Sequence, residues 1–282
     1  FNFVSRLLEQ EGIYYYFKHA EGRHTMVLSD SASAHAPFEG YEEIPYIPNE
    51  RTMHQEYERI GEWNFAREVQ AGRYMIDDFD FTKPSVELQA QTKIKRNHDL
   101  ADYEVYDYPG EYAAKPDGEH YVQARLEEIQ TQFEVASGGT SARGLCCGYL
   151  FKLTGHERDD QNREYLITSA VHNLQYSQYE AMENAGTDYH CSFTVISSSQ
   201  PFRPRRATAK PVVMGPQTAI VVGPSGDEIY TDKYGRVKVQ FHWDRKGELN
   251  QDSSCWVRVS QPWAGKNWGM IAIPRIGQEV IV

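Results

Sequence analysis

The chain has 282 residues, of which 40% are apolar and 24% are charged, and its formal net charge is −11. This length exceeds that of a typical single domain, so two or more domains are predicted. Its apolar runs are only a few residues long, which excludes a membrane-spanning helix of about 20 residues. The start of the sequence has no basic segment followed by an apolar stretch, so we expect no signal peptide.

Charge is distributed unevenly along the chain. Residues 1–212 contain 21 basic and 33 acidic residues, a net charge of −12, whereas residues 213–282 contain eight basic and seven acidic residues, a net charge of +1. Nucleic-acid binding depends on an electropositive surface. We therefore expect no nucleic-acid partner for either part.

Four cysteines are too few to form a disulfide framework in a chain of this length. Cys146 and Cys147 are sequence neighbours, with Cα atoms about 3.8 Å apart, below the usual disulfide range. We expect Cys146, Cys147, Cys191 and Cys255 to be reduced, buried small residues in a protein made in the cytoplasm.

The first segment reads as a helix followed by a hairpin. Phe1, Val4, Leu7 and Leu8 are spaced by three and four, which predicts a helix over residues 1–11, and Gly12 suits its C-cap. Residues 13–17 and 25–28 then predict two strands. The aromatic run in the first strand suits base stacking, but aromatic residues are also simply favourable in strands, and we prefer that interpretation.

Two more strands are predicted at 62–68 and 73–81, and residues 30–55 between them and the hairpin are irregular, with no ligand site expected. Three aspartates in the second strand suggest a cation site at first. An EF-hand loop, however, needs glycine at its sixth position and glutamate at its twelfth, and this sequence has neither. We therefore interpret these side chains as solvated strand carboxylates: Asp77, Asp78 and Asp80.

A second helix is predicted where Val122, Leu126, Ile129 and Phe133 repeat at spacings of four, three and four. Gly138 is the predicted end of this helix. Residues 137–141 then read as a flexible loop, because no Gly-Lys-Ser/Thr follows to form a phosphate cradle.

A hairpin is predicted from strands 149–156 and 164–176, turning at 158–162, and a strand at 189–196 follows. The turn contains HERDD, the strongest catalytic candidate in the chain. It is not HExxH, because Asp160 stands where the second histidine belongs. If the turn centres near residue 160, His156 and His172 lie too far apart along the hairpin to share a metal ion. A solvated acidic turn is therefore the preferred interpretation.

Residues 201–211, PFRPRRATAKP, read as a linker because they contain three prolines, four basic residues and no acid. Two interpretations remain open for this segment. It either pairs with the acidic head or is a solvated linker. Across subunits, Arg203, Arg205 and Arg206 could meet a neighbour's acidic surface.

Residues 231–282 contain four of the five tryptophans and alternate with the two-residue period of strands. Strands are predicted at 236–243, 255–260, 270–273 and 279–282, with a loop at 262–269. In the first, Val237, Val239, Phe241 and Trp243 point to one face. Short strands separated by glycine and proline corners predict a small barrel.

Two long segments resemble the barrel of the VgrG family, the spike proteins of type VI secretion systems: residues 217–243 and the later WVRVSQPWAGKNWGMIAIPRIGQEV. That barrel has an oligonucleotide/oligosaccharide-binding (OB) fold related to one in the spikes of contractile-tailed phages. FVSRLLEQEGIYYYF, YDYPGEY and DQNREYLITSAVH resemble the hub of the same family. The resemblance implies a mainly β protein with a few helices: an α+β head of β-barrel hub domains (1–200), a linker (201–212) and an OB-fold neck barrel (213–282).

The resemblance also implies a structural function. The protein would be a homotrimer on the Hcp tube, in contact with baseplate components, a PAAR-type tip protein and effectors, and would hold no cofactor. An N-terminal part of the hub and a needle after Val282 are expected to lie outside this sequence, and the needle would contact the target membrane. Such a spike is cytoplasmic before firing and is then secreted or delivered into a target cell.

An enzyme and a binding module are the alternatives. The enzyme interpretation has little support, because there is no Gly-x-Ser-x-Gly elbow and Ser225 sits in an ordinary turn. Cys255 is expected on the apolar side of its strand and His242 on the polar side of another, so we do not expect them to form a catalytic pair. An OB-fold module for nucleic acid or carbohydrate remains the alternative, because such folds stack bases on aromatic residues. We instead expect the tryptophans to pack around glycine-rich turns. These residues form the predicted structural motif of the barrel: Gly235, Trp256, Trp263, Trp268, Gly269 and Gly277.

Overall fold

The structure is a computed structural model that describes residues 1–49, 57–176 and 187–282. The chain forms two compact units, Phe1–Ala209 and Lys210–Val282, called unit 1 and unit 2 below. Most regular elements are strands, so the predicted fold class, mainly β with a few helices, is confirmed. The functional division into head, linker and barrel stays a prediction.

Unit 1 contains the helices α1 (Asn2–Glu11) and α2 (Lys115–Thr131). Gly12 follows α1 with φ 72°, the left-handed conformation that glycine adopts without strain, so the predicted helix and its cap are confirmed. The second predicted helix is also present, but it ends at Thr131 and not at Gly138.

The strands of unit 1 pair mainly with antiparallel neighbours. They are, in chain order, β1 (Tyr14–Ala20), β2 (Arg23–Ser29), β3 (Glu43–Pro45), β4 (Ile60–Arg67), β5 (Arg73–Ile76), β6 (Ala90–Lys93), β7 (Glu104–Asp107), β8 (Glu134–Thr140), β9 (Leu150–Thr154), β10 (Glu164–Tyr176) and β11 (Thr187–Ser197). The predicted hairpin β1–β2 and the predicted strand β11 are confirmed and are longer than expected. In the β9–β10 hairpin, Glu164 lies opposite Lys152, so its turn is centred two residues earlier than assumed.

A six-stranded sheet in the order β3-β9-β10-β11-β8-β4 holds the main core of unit 1. Among the described strands of this sheet, only the β3–β9 pair is parallel. Aromatic and aliphatic side chains pack together on one face of this sheet, and the β10–β11 register shifts between Ile167 and Ser169, which bends the strand. Five large residues of this core are fully buried: Tyr165, Phe151, Ile60, Leu145 and Leu153.

The prediction of a flexible loop at 137–141 is wrong, because these residues belong to β8 and its end, inside the six-stranded sheet. A Cβ atom on Gly138 would lie 2.2 Å from the backbone oxygen of Glu62 and 2.8 Å from the ring of Phe193. Glycine is therefore required by the close approach of β4 and β11, and not by flexibility.

A second small sheet, β6-β5-β7, packs against α2. The strand predicted at 73–81 ends at Ile76, so the aspartates that follow are not strand carboxylates. Asp78 Oδ2 accepts from the backbone N–H of Glu111, and Asp80 Oδ1 accepts from the backbone N–H of Thr82. These carboxylates therefore accept hydrogen bonds from backbone N–H groups and stabilise the loops around them.

Unit 2 contains β12 (Thr218–Val222), β13 (Lys238–Phe241), β14 (Trp263–Gly265), β15 (Trp268–Met270) and β16 (Glu279–Ile281). One sheet has the order β13-β12-β16, and β14 and β15 form a separate hairpin. The core of unit 2 is aliphatic and small. Its buried members are Ala219, Val221, Val237 and Val239.

Several predicted details of unit 2 are wrong. The predicted strand 236–243 shortens to β13, and the exposed Trp243 lies beyond its end. Residues 255–260 contribute only an isolated bridge, Val237 to Val257. The segment predicted as a loop at 262–269 instead contains β14 and most of β15, because Trp263 pairs with Met270 across a tight turn.

The four cysteines are free, as predicted, but their expected burial holds only in part. Cys191 is buried and Cys146 is half-buried, whereas Cys147 and Cys255 are exposed. The prediction for Cys255 assumed a strand at 255–260. That strand does not form, so the Cys255 thiol is not directed toward the core.

Candidate assembly surfaces

Within the described ranges, no group of three or more His, Cys, Asp or Glu side chains is placed to hold a metal ion. In the HERDD turn, Arg158 and Asp160 form an exposed ion pair of 2.8 Å. The hydrogen bond from Arg158 lowers the pKa of Asp160 to about 2, so this carboxylate stays ionised near neutral pH. His156 packs on the ring of Tyr46. The turn is thus solvated, as predicted, and the structure adds an ion pair within it.

Residues 201–208, here called the strap, contact α1 and α2 within unit 1. Arg203 Nε lies 2.6 Å from a carboxylate oxygen of Glu127, and both side chains are mostly buried. The hydroxyl of Thr208 donates to the carboxylate of Glu9 at 2.7 Å. Of the two interpretations left open for this segment, pairing with the acidic head is correct. The partner of Arg203 in the single chain is its own Glu127, and the expected contact of Arg203 with a neighbour stays a prediction.

Helix α1 presents its polar residues to the rest of unit 1. The hydroxyl of Tyr121 donates to the Glu11 carboxylate at 3.0 Å, and Arg125 donates to the backbone oxygen of Glu9. No residue of α1 is buried. Of the apolar stripe that predicted the helix, Leu8 is half-buried and lines a cavity. The outward face of the helix and its N-cap consists of these exposed residues: Phe1, Phe3, Val4 and Leu7. A contiguous apolar helix face of this kind marks an interaction surface.

A cavity of about 380 Å³ lies between α1, β1, β10 and the strap. At the wall of this cavity, His35 Nδ1 lies 2.7 Å from the backbone oxygen of Gly148. A carbonyl oxygen can only accept a hydrogen bond, so His35 Nδ1 carries the proton and donates it. His35 Nε2 then accepts from the hydroxyl of Tyr14 at 2.7 Å. Burial lowers the pKa of His35 and raises the pKa of Tyr14, so both groups are held neutral. The members of this cluster are far apart in the chain, so no local sequence pattern indicates it.

The β1–β2 hairpin has one covered and one open face. Tyr14 and Tyr16 are buried, whereas Tyr15 and Phe17 point outward and are exposed. Residues opposite each other in the register share a face of the ribbon. The outward face, here called the docking face, therefore consists of Tyr15, Phe17, His19, His24, Met26 and Leu28.

The three glycines of the predicted structural motif all have positive φ: Gly235 (69°), Gly269 (128°) and Gly277 (88°). Gly235 closes a turn by donating its N–H to the backbone oxygen of Asp232 at 3.1 Å. A Cβ atom on Gly269 would lie 2.5 Å from the backbone oxygen of Trp263. These geometries require glycine at each position.

The tryptophans of the motif differ in their surroundings. Trp256 is half-buried and packs on Tyr230, with ring centroids 5.0 Å apart. Trp263 and Trp268 contact each other at 5.3 Å but are 65% and 56% exposed. Core packing of these two side chains within the chain is therefore not observed. The two rings instead form an exposed aromatic pair, and Ile271, which follows them in sequence, is exposed as well.

Two family models match the chain, and together they define its class. Residues 1–178 match the phage tail baseplate hub model (GPD). Residues 218–282 match the type VI secretion system/phage-baseplate injector OB domain. The protein is thus of the baseplate-hub class, with an OB domain after the hub.

Curated relatives specify the family. The spike protein VgrG1c of Pseudomonas aeruginosa is 52% identical over all of this chain, and VgrG1a of the same organism is 51% identical. The chain belongs to the VgrG family of type VI secretion system spike proteins, which confirms the predicted resemblance. It spans 39% and 44% of the lengths of these two relatives.

A solved structure supports the fold. A component of the Escherichia coli type VI secretion system, described as similar to the phage T4 tail proteins gp27 and gp5, aligns with a TM-score of 0.58 at 18% identity. The alignment covers 99% of this chain and 55% of that protein. In the described part of this chain, no helix is long and apolar enough to span a bilayer.

Proposed function

We propose that this chain is a non-enzymatic structural part of a type VI secretion spike, in which unit 1 serves as hub and unit 2 as neck. The observation that carries this proposal is the outward apolar face of α1. A helix that turns its polar side inward and its apolar side to solvent has its hydrophobic contact outside residues 1–282. Membership of the spike family supports assembly as the purpose of that surface.

The assembly we propose is a homotrimer seated on the Hcp tube and in contact with baseplate components. In closed cyclic symmetry identical chains repeat around one axis, so the apolar face of α1 occurs at three equivalent positions in the trimer. A needle and a PAAR-type tip would follow, effectors would be carried on the spike, and the needle would contact the target membrane. The protein would be cytoplasmic before firing and then secreted or delivered.

Assembly is tested by measuring the native mass of a longer form of this protein that includes the needle. We expect three chain masses for the wild type. Leu7→Ser in α1 should weaken assembly without unfolding the chain, because Leu7 is exposed. Val69→Ser, at an exposed apolar residue outside α1, is the matched control and should leave the mass unchanged. A longer form that stays monomeric would contradict the proposal.

The absence of enzymatic activity is tested separately. Purified protein should show no hydrolysis of peptidoglycan, lipid, peptide or nucleic acid. Turnover that disappears on changing His156, Asp159 or Cys255 would overturn the non-enzymatic assignment.

An OB-type binding module is the second candidate function, and the exposure of Trp263 and Trp268 favours it. Exposed aromatic rings in OB folds stack on bases or sugars. Titration with single-stranded DNA and with oligosaccharides should leave tryptophan fluorescence unchanged if these residues serve assembly. Saturable quenching that is lost in Trp268→Ala would support the second function instead.

A further inference from the structure

We propose that unit 1 contains a binding site for a phosphate-type oxyanion, formed by the guanidinium groups of Arg67, Arg96 and Arg163. These three side chains, here called the arginine cluster, come from the middle of the sequence and from different elements. Arg67 ends β4, Arg163 directly precedes β10, and Arg96 follows β6. The site goes beyond the proposed assembly, and the two proposals can fail independently.

The carboxylate of Glu134, the first residue of β8, holds two members of the cluster. Arg67 Nε donates to Glu134 Oε2 at 2.8 Å. Arg163 Nη2 donates to Glu134 Oε1, and Arg163 Nε donates to the hydroxyl of Tyr165 at 3.2 Å. Glu134 and Tyr165 are both buried, so these two arginines are held by buried side chains. Donors that are fixed in this way lose little conformational entropy when a ligand binds.

Arg96 is held by a separate set of contacts. Its Nε donates to Gln130 Oε1 at 2.9 Å, and its guanidinium group lies over the ring of Phe133, 4.1 Å from the ring centroid. Gln130 is 2% exposed and donates in turn to the backbone oxygen of Ala71 at 2.9 Å. A buried glutamine and an aromatic ring thus fix the position of this cation as well.

The cluster has more positive than negative charge. Three guanidinium groups and the single carboxylate that pairs with them leave a net charge of +2. Burial lowers the pKa of Arg96, the Glu134 charge opposes that shift and the Arg67 charge adds to it, which places Arg96 within electrostatic range of both. Among the described residues, Glu68 and Glu164 form no ion pair with the cluster, and strand alternation directs them to the opposite face. The excess positive charge is therefore available to a ligand.

Several N–H groups of the cluster have no acceptor in the part of the chain that the structure describes. They are carried by both terminal nitrogens of Arg96 and by Nη1 of Arg67 and of Arg163. Asp160, in the neighbouring turn, already pairs with Arg158. Donors without a protein acceptor, on side chains whose positions are fixed, are what an anion-binding site provides.

An unpaired acceptor belongs to the surroundings of the same aromatic ring as Arg96. His98 stacks on Phe133 with ring centroids 5.6 Å apart, and its Nε2 is buried with no hydrogen-bond partner among the described residues. His98 Nδ1 lies 2.7 Å from the backbone oxygen of Asp99, so Nδ1 donates and Nε2 is left as an acceptor. Hydrogen phosphate has an O–H group besides its acceptor oxygens, so it suits a set of donors accompanied by one acceptor.

A phosphate-type oxyanion suits this cluster better than a carboxylate does. Arginine binds both groups, but a carboxylate is planar and is bound best by the two donors of one fork. The remaining donors of the cluster belong to three different side chains, which a tetrahedral anion contacts from several sides. Its charge of about −1.5 to −2 at neutral pH also balances the cluster. Nucleic acid is a poor source of the phosphate, because the sequence of the surrounding unit is strongly acidic.

Binding is tested with inorganic phosphate and the 282-residue chain, using the broadening of the ³¹P NMR line on binding. Chloride at the same ionic strength is the background in every sample. We expect saturable broadening for the wild type. Arg96→Gln should raise the dissociation constant at least tenfold, because it removes a charge and its hydrogen bonds. Arg143→Gln, at an exposed arginine outside the cluster, is the matched control and should leave the constant unchanged.

Arg67→Gln provides a second variant that should fold normally, because the Arg67 side chain is 54% exposed. It should weaken phosphate binding severalfold, while its melting temperature in chloride stays close to that of the wild type. No broadening with the wild type, or equal broadening with the wild type and both cluster variants, would overturn this inference. Acetate that competes as strongly as phosphate would overturn the assignment to a tetrahedral oxyanion.

Vesicles of phosphatidylcholine with and without phosphatidic acid distinguish two sources of the phosphate group. Sedimentation of the wild type with phosphatidic acid vesicles, lost in Arg96→Gln, would identify a lipid headgroup. Phosphate binding without such sedimentation would identify a soluble phosphate. Either result supports the site, and neither depends on the native mass of the assembly.

Discussion

The buried cores of the two units differ in their aromatic content. In unit 1, Tyr165, Phe151 and Phe193 are buried on the six-stranded sheet. In unit 2, the core is built from alanine and valine, while Trp263 and Trp268 remain mostly exposed. A single core in a unit below about 80 residues rarely supplies more than about 3–5 kcal/mol. Unit 1 thus contains its own stabilising core, whereas the largest apolar side chains of unit 2 are available to a partner.

The largest effect is expected in the aromatic core of unit 1. Tyr165→Ala should lower the free energy of unfolding of unit 1 by about 3–5 kcal/mol, because it leaves a cavity in a fully packed core. Tyr103→Ala removes the same side chain from an exposed position and should change it by less than about 0.5 kcal/mol. Calorimetry of the two variants checks this, and equal destabilisation would contradict it.

In unit 2, small buried residues should matter more than large exposed ones. Val221→Ala should cost about 2 kcal/mol, because Val221 is fully buried in the small core. Trp268→Ala should cost less than about 1 kcal/mol in the monomer, since most of its ring is in water. Thermal melts of unit 2 followed by circular dichroism test this order. A larger loss for Trp268→Ala would show that the exposed hairpin is a true packing element.

The β14–β15 hairpin should depend on its backbone geometry more than on its tryptophans. Gly269→Ala should cost about 2 kcal/mol, because the residue has φ 128° and a Cβ would meet the Trp263 carbonyl. Gly277→Ala is the matched control, with positive φ but open space around it, and should cost about 1 kcal/mol. Chemical denaturation of both variants measures the difference. Equal losses of stability in the two variants would mean that the Trp263 carbonyl moves away from the added methyl group without cost.

The smallest effect concerns a buried hydroxyl in unit 1. Tyr112 donates to the backbone oxygen of Leu88 at 2.6 Å, and burial raises its pKa to about 12. A raised pKa means that the folded state favours the neutral phenol, so its stabilisation is present below pH 10 and is lost as the pH rises toward 12. Tyr112→Phe should cost about 1 kcal/mol at neutral pH and should flatten this alkaline loss.

Denaturation of unit 1 between pH 8 and pH 12 measures that slope. Tyr103→Phe, at an exposed position, is the control and should leave the slope unchanged. A Tyr112→Phe slope identical to that of the wild type would show that this phenol does not determine the alkaline limit.

Elements with a local signature were predictable from the sequence. The spacing of apolar residues in α1, its glycine cap and the β1–β2 hairpin all follow from periods of 3.6 and two residues. Periodicity does not say which side of an element meets the core, however. Most of the stripe that predicts α1 faces solvent, and the sequence alone offers no means of seeing that.

Features that depend on distant contacts were not predictable. Gly138 resembled a helix cap, but it is a strand residue because Glu62 and Phe193 approach it from both neighbouring strands. His35 meets Tyr14 and Gly148 only after folding. The exposure of Trp263 likewise depends on how β14 pairs with β15, and no local pattern distinguished that from a packed loop.

The strap determines how a pulling force enters unit 1. A force applied at Ala209 first reaches Thr208, which is tied to Glu9, and then Arg203, which is tied to Glu127. Along the chain from Ala209 toward the N-terminus, both contacts are reached before β11. Tension is therefore transferred to the two helices before it reaches the hydrogen bonds of the six-stranded sheet. A polar clamp of this kind lets the sheet keep its register while the chain beyond it is stretched.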